Sequence, residues 1–355
     1  VGEHIAVPRA LPSGPRATWA AHEVIALGHL LAEGNLGHPT GVYYYNQDEA
    51  AVADFIAAAE SFSNVRCTRT THKGTESVYT GRVDRKAPNG IFEWARDLGM
   101  LGKTAPNKEV PASAFTLGNE QIGLLLGRMW DGDGHINVRD ASAYYATSSK
   151  RLAQQVQHLL LRLGILGRIR SVMFPYRGGQ RIGYQLFVTG VENLRPFAER
   201  VGCHLVAPAK LAAMAAMPLP DEPASSKDLV PVGPVRALAR AAKARRGDLW
   251  SDVEKEADVS ARDLYPVGTN PKKIGFTRGV VNRLAMYFGD ESLQRLGSND
   301  VLWDRVISIE PAGEQRTYDL EIADTHNFVA NDVIVHNSHS VAYSVVAYHT
   351  AFLKA

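Results

Sequence analysis

Ala26-Leu27-Gly28-His29-Leu30-Leu31-Ala32-Glu33-Gly34 and Leu126-Gly127-Arg128-Met129-Trp130-Asp131-Gly132-Asp133-Gly134 are one kind of segment written twice. Each carries apolar residues at helical spacing, closes on a carboxylate and stops at a glycine, the residue that most readily ends a helix. Their surroundings repeat in the same order. Trp19 to Glu33 reads as a helix, Tyr43 to Asn46 and Thr75 to Val83 as strands, and the Ala-rich Glu49 to Ser61 as a helix. Gln121 to Asp133 is a second helix, Ala143 to Thr147 a strand, Lys150 to Leu163 a helix and Ile182 to Thr189 a strand. A duplicated α/β unit with a period of about 100 residues follows.

The chain has 355 residues, of which 45% are apolar and 21% charged, enough for two or three domains and too hydrophobic for wholesale disorder. A net charge of +2 supplies no global field for nucleic acid, so any basic surface is local. Cys67 and Cys203 are too few and too far apart for a zinc cluster or a disulfide framework, which fits a reducing, cytoplasmic setting. No apolar run approaches the roughly 20 residues that span a bilayer, and Val1 to Arg9 has no leader features; no membrane partner is expected. Gly2 to Pro12 reads as a short strand, so the chain is expected to begin inside a longer product.

The duplicated segments resemble the paired LAGLIDADG motifs of homing endonucleases, the first more closely than the second. The resemblance implies an α+β endonuclease over residues 17–218, with αββαββ halves at about 19–112 and 118–218 and motif helices crossing at the centre. Gly28 and Ala32 lie on one helical face and allow close approach; the second copy has Arg128 where the family has Gly, and Gly123 and Gly127 offer another contact face. A carboxylate beside the unpaired carbonyls of a helix end suits a hard divalent cation. Glu33 and Asp133 are therefore the expected ligands for Mg²⁺ or Mn²⁺. Lys108, in Asn-Lys-Glu-Val-Pro, resembles the lysine of the family's Lys-x-x-Pro element, and Lys227, in Lys-Asp-Leu-Val-Pro, is its expected counterpart. Double-stranded DNA is the expected partner, held by Arg139, Lys150, Arg151, Arg162, Arg168, Arg170, Arg177 and Arg181.

Residues 219–298 read as a basic linker. Val235 to Arg246 is a helix with Arg236, Arg240, Lys243, Arg245 and Arg246 and no acid, and the short helices after it fit a helix-turn-helix or a plain linker equally well. From Val301 to Val335 the apolar period changes to two, the mark of a separate β-rich unit.

Thr317-Tyr318-Asp319-Leu320 through Thr325-His326-Asn327-Phe328 to His336-Asn337-Ser338 resembles the C-terminal splicing region of an intein, whose splicing domain is an all-β Hint fold. That likeness implies that Asn337 cyclises with help from His336, that Asp319 and His326 assist proton transfer, and that Ser338 accepts the upstream polypeptide, with no cofactor for splicing. It divides the chain into 1–16, the end of an N-terminal splicing segment or linker; 299–337, the C-terminal Hint segment; and 338–355, an extein that resembles a stretch of the bacterial DNA polymerase III alpha subunit. Its partners would be an N-terminal intein half, from the same precursor or in trans, and flanking polymerase exteins, with DNA cleaved at the insertion site. Two other readings compete: a splicing element whose endonuclease has decayed, and a non-catalytic DNA-binding regulator on a LAGLIDADG and helix-turn-helix scaffold.

Overall fold

The computed structural model describes residues 3–11, 17–176, 178–220, 228–265, 273–311, 313–314, 320 and 322–336. The chain forms two compact units, one of residues 10–225 and one of residues 1–9 with 226–355.

The chain opens with strand β1 (His4–Pro8) of the discontinuous unit. The larger unit follows, and its first half runs α1 (Ala21–Glu33), β2 (Gly34–Asn35), β3 (Tyr43–Asn46), α2 (Glu49–Glu60), β4 (Val65–His72), β5 (Thr75–Arg82) and α3 (Gly90–Asp97). Its second half runs α4 (Asn119–Asp133), β6 (Gly134–Asn137), β7 (Ser142–Thr147), α5 (Lys150–Arg162), β8 (Gly167–Tyr176), β9 (Gly179–Thr189) and α6 (Val191–Arg200), and α7 (Pro208–Ala215) follows. Each half holds a four-stranded antiparallel sheet, in the orders β2-β3-β5-β4 and β6-β7-β9-β8. The expected duplication is thus present as matching topology, with a closing helix added to each αββαββ run. The helices after β3 and β7 start on equivalent caps: Asp48 accepts from the amides of Ala50 and Ala51, and the Ser149 hydroxyl accepts from the amide of Leu152.

β4 and β8 were not among the expected strands. In β4 the stretch Thr68 to His72 is exposed and holds no apolar residue, so it lacks the period-two signal and is ordered by pairing along the whole of β5.

One apolar core runs through both halves, with Leu27 and Leu30 of α1 and Leu125, Leu126, Met129 and Trp130 of α4 fully buried. The two helices touch where side chains are smallest. A Cβ placed on Gly28 would lie 2.6 Å from the Arg128 Cβ, and one on Gly132 would lie 2.6 Å from the Ala32 Cβ. Gly123 and Gly127 do not serve this contact. Their open faces are filled by the Arg200 carbonyl and by His204, so α4 meets α1 through the face that carries Arg128 and Gly132.

In the other unit, β10 (Leu229–Pro231), α8 (Val232–Arg246), α9 (Trp250–Ala257), β11 (Gly275–Thr277), α10 (Arg278–Phe288) and α11 (Glu291–Ser298) enclose a separate core around Val235, Val253, Val281, Leu284 and Leu293. Arg236 and Arg240 of the basic run on α8 are tied to carbonyls of the same unit, whereas Arg245 and Arg246 are exposed. Arg236 donates to the Asp263 carbonyl (2.6 Å), Arg240 to those of Leu264 and Tyr265 (2.8 and 2.6 Å), and Arg245 pairs with Asp290 (2.5 Å).

The expected β-rich stretch is only partly regular: β12 (Val301–Arg305) is followed, after residues with no strand among those described, by the hairpin β13 (Asn327–Ala330) and β14 (Val333–His336). β12 is not an unpaired edge, because β1 runs antiparallel to it, His4 opposite Arg305 and Pro8 opposite Val301.

The Gly28 contact gives a sign test. On an exposed helix, Gly to Ala would stabilise by up to about 1 kcal/mol. Against Arg128 the added methyl has no room, so Gly28→Ala is expected to destabilise by about 1–3 kcal/mol, read as a lower urea midpoint at unchanged slope.

Candidate functional site

The site begins where the motif helices end. Glu33 is the last residue of α1 and Asp133 the last of α4, and the chain turns at once into β2 and β6. The close approach at Ala32 and Gly132 brings both acids to one place: a Cβ on Gly132 would lie 3.1 Å from the Glu33 Cγ. Burial raises the carboxyl pKa of both, against the pull of Lys108 and Lys210; for Asp133, the nearby Glu33 adds to the rise and carries it to about 7.

Two lysines sit on the helix ends. The Lys108 Nζ donates to the Ala32 carbonyl of α1 (2.7 Å). The Lys210 Nζ donates to the carbonyls of Trp130, Asp131 and Gly132 of α4 (2.6, 2.8 and 3.1 Å). Cations at helix C-termini are favourable, and these also face the carboxylates. Burial lowers the Lys108 ammonium to about 8, with Asp133 and Glu33 opposing, and burial lowers Lys210 likewise.

Lys108 thus lies on the end of α1, near the two acids. Lys227 lies outside the described residues, and the position it was expected to fill beside the second motif is held by Lys210. Lys210 follows Asp133 at nearly the interval at which Lys108 follows Glu33, a signal that a search for Lys-x-x-Pro passes over.

The residues that interrupt the motifs form a network beneath the site. The Arg128 guanidinium leaves α4, pairs with Asp54 of α2 (2.6 Å) and donates to the His204 carbonyl. Asp54 also bonds the Nε2 of His29 on α1 (2.8 Å). Burial holds His29 below its usual pKa despite Asp54, so it is neutral near pH 7; the upward effect of burial on Asp54 is outweighed by His29 and Arg128, so its carboxyl sits low. Arg128 therefore joins the two halves.

Strand alternation separates the sheet faces. Tyr44 and Val78 point into the core, which leaves Tyr43, Tyr45, Tyr79, Thr68, Thr70 and Arg66 on the outward face of the first sheet. Tyr43 and Tyr45 stack at 6.0 Å and Tyr43 meets Tyr79 at 4.9 Å. On the second sheet, Ala143, Leu186 and Val188 point inward, and Arg168, Arg170 and Arg181 share the outward face with Tyr144, Phe174 and Phe187. Arg170 lies over Phe187 (5.0 Å) and Arg181 over Tyr176 (3.9 Å).

The eight expected DNA-binding cations divide accordingly. Arg168, Arg170 and Arg181 are on the outward face; Arg139 is exposed between β6 and β7, and Lys150 is exposed at the start of α5. Arg151 pairs with Glu109. Arg162 is buried and donates to the carbonyls of Phe115 and Leu117 (2.6 and 2.8 Å), a structural tie and not a phosphate contact. Arg177 lies outside the described residues. The tyrosine face of the first sheet was not anticipated, since a search for cations does not find it.

Of the expected splicing residues, His326 and His336 flank the β13–β14 hairpin with ring centroids 6.1 Å apart, whereas Asp319, Asn337 and Ser338 lie outside the described residues. Among the described residues no helix is long and apolar enough to cross a membrane.

Residues 120–202 match the family described as LAGLIDADG-like domain, which covers the second half; the larger unit has the LAGLIDADG-like α+β fold. Over 95% of its length the chain is 33% identical to the replicative DNA helicase DnaB of Rhodothermus marinus and 24% identical to protein RecA of Mycobacterium tuberculosis. It spans 36% and 44% of those relatives. The structure of I-DmoI in complex with DNA and Mn aligns with 51% of this chain and 96% of its own, at 11% identity and a TM-score of 0.37, too low a score to bear on this chain. An alignment over nearly the whole chain outweighs a likeness confined to residues 338–355. The expected DNA polymerase III alpha host is overturned by the helicase relatives, and the reading of a splicing intein in that host goes with it.

Proposed function

We propose that residues 17–218 form a DNA endonuclease dependent on a divalent cation, hydrolysing phosphodiester bonds in duplex DNA in the cytoplasm. The observation that carries this reading is the meeting of Glu33 and Asp133 at two abutting helix ends, each end also holding a lysine. Two carboxylates whose pKa values are raised by burial, that of Asp133 further by Glu33, are a site short of positive charge, and all-oxygen donors fit Mg²⁺ or Mn²⁺. Glu33 and Asp133 would hold the ion. When bound it would supply a Lewis acid for the phosphoryl oxygen and ease deprotonation of the attacking water. Lys108 and Lys210 keep positive charge beside the acids and would offset charge building on the phosphate. The arginines of the second sheet would neutralise backbone phosphates, and the tyrosines and threonines of the first would meet sugars and base edges.

The names of the relatives suggest a second role, that of a piece of a longer helicase-like polypeptide. This chain contains no Gly-x-x-x-x-Gly-Lys-Ser/Thr phosphate loop, so ATP hydrolysis of that kind would lie with other residues.

Metal binding should depend on pH. Below about 7 Asp133 is protonated in the folded, metal-free chain, so Mn²⁺ affinity measured by calorimetry is expected to weaken about tenfold per pH unit. The stability sign is fixed too. A carboxyl raised in the fold contributes stability in full only below its unfolded pKa, and that contribution is lost as pH rises to about 7. Saturating Mg²⁺ should therefore raise Tm more at pH 8 than at pH 6, and an equal increase at both would refute the assignment.

Glu33→Gln and Asp133→Asn should each lower cleavage of a plasmid library with randomised inserts by about 100-fold or more, with duplex binding retained. Full activity in Asp133→Asn would rule out the site. In binding titrations against salt, replacing Arg168, Arg170 and Arg181 together by Gln should reduce the log–log slope by about 2.7, at about 0.9 per phosphate contact. An unchanged slope would remove the second sheet from the interface.

A further inference from the structure

Asp131 is buried at 3% exposure in the second motif, two residues before Asp133, and the site chemistry above makes no use of it. Its carboxylate faces α7: Oδ1 and Oδ2 accept from the Val206 amide (3.1 and 3.0 Å), and Oδ1 also accepts from the Ala207 amide (3.0 Å). The amides it holds belong to the two residues that lead into α7, just outside the helix. The residue preceding α7, Ala207, has no side-chain acceptor, and Pro208 opens the helix without an N–H. An eight-residue helix does not hold itself in water, so contacts at its start decide where it lies. One turn further on, Lys210 returns its Nζ to the carbonyls of Trp130, Asp131 and Gly132.

Residue 131 thus grips α7 twice, by its side chain at the helix start and by its carbonyl at the lysine. We propose that Asp131 is the positioning residue for Lys210, holding α7 so that the ammonium stays on the end of α4 beside Asp133. The proposal rests on the endonuclease reading for its consequence in catalysis, and on the hydrogen bonds alone for its structural claim.

The first half does this differently. Leu31 stands at the position equivalent to Asp131, and Lys108 reaches a single carbonyl, that of Ala32. Its backbone is fixed from α5, by the Ser149 hydroxyl donating to the Lys108 carbonyl (2.7 Å) and by Gln155 accepting from the Val110 amide (2.8 Å). Loss of the Asp131 carboxylate should therefore free Lys210 and leave Lys108 as it was. A carboxylate that only stabilises the fold would not distinguish the two.

The test uses the full chain with Asp131→Ala and Asp131→Asn, the second keeping one oxygen acceptor in case the first does not fold. Lysine acetylation by an N-hydroxysuccinimide ester, followed by peptide mass spectrometry, should show Lys210 labelled about tenfold faster in Asp131→Ala, the scale of a lost hydrogen bond to a charged group, with a smaller rise in Asp131→Asn. Lys108 labelling should not change. In cleavage, Asp131→Ala combined with Lys210→Met should be no worse than Lys210→Met alone, whereas combined with Lys108→Met the losses should multiply. Unchanged Lys210 labelling in either folded variant, an equal rise at Lys108, or multiplying losses with Lys210→Met would overturn the proposal. A wild-type chain that cleaves no DNA would sink the endonuclease reading, and the labelling contrast would still decide what Asp131 does.

Discussion

The approach of α1 to α4 leaves no room for a methyl group at Gly28 or Gly132, and the geometry of the larger unit follows from it. Each helix ends in a carboxylate and turns straight into the first strand of its sheet, so the same contact brings Glu33 to Asp133 and sets the starting points of both sheets. A wider spacing would separate the acids and remove the part of the Asp133 rise that Glu33 supplies, leaving the part due to burial. Packing at the smallest side chains therefore decides the chemistry of the polar ones.

That juxtaposition has an electrostatic cost, which the fold offsets locally. Two carboxylates near helix C-termini meet the unpaired carbonyls there and each other. Lys108 and Lys210 occupy those carbonyls, one on each helix end, and partly compensate the acids. The compensation is incomplete, since Asp133 remains raised and the Lys108 ammonium is itself lowered by burial. A site in that state gains from a further cation.

Arginine in this chain has two uses that composition does not separate. Arg128, Arg162, Arg236 and Arg240 donate to carbonyls or buried acids and join segments distant in sequence, and Arg278 does the same, bonding Asp228 (2.7 Å) and the Asn299 carbonyl (2.9 Å). The planar fork of donors suits such bridging. Arg168, Arg170 and Arg181 lie on a sheet face beside aromatic rings, where strand alternation points them away from the core. A charge run in the sequence marks neither use until its partners are known.

The sequence by itself determined the duplication and the motif helices with their terminal acids, because helical periodicity, a closing glycine and a repeated order of elements are local signals, whereas Lys108 was marked out only by the resemblance of its Lys-x-x-Pro element. It also carried the α+β class. Strand β4 was not legible, since its outer residues are polar and only pairing with β5 orders them. Asp131 and the Arg128–Asp54–His29 network were not legible either, and Lys210 only as an interval from Asp133, because each depends on which carbonyl or carboxylate a folded chain brings within about 3 Å, a distance set by packing between segments far apart in sequence. The resemblance at residues 338–355 failed for a related reason: a short local likeness carries no information about the rest of the polypeptide, whereas alignment over 95% of the chain does. Residue type and spacing state which groups are available, and only the tertiary structure decides which of them meet, because close packing of small side chains fixes distances that no local pattern encodes.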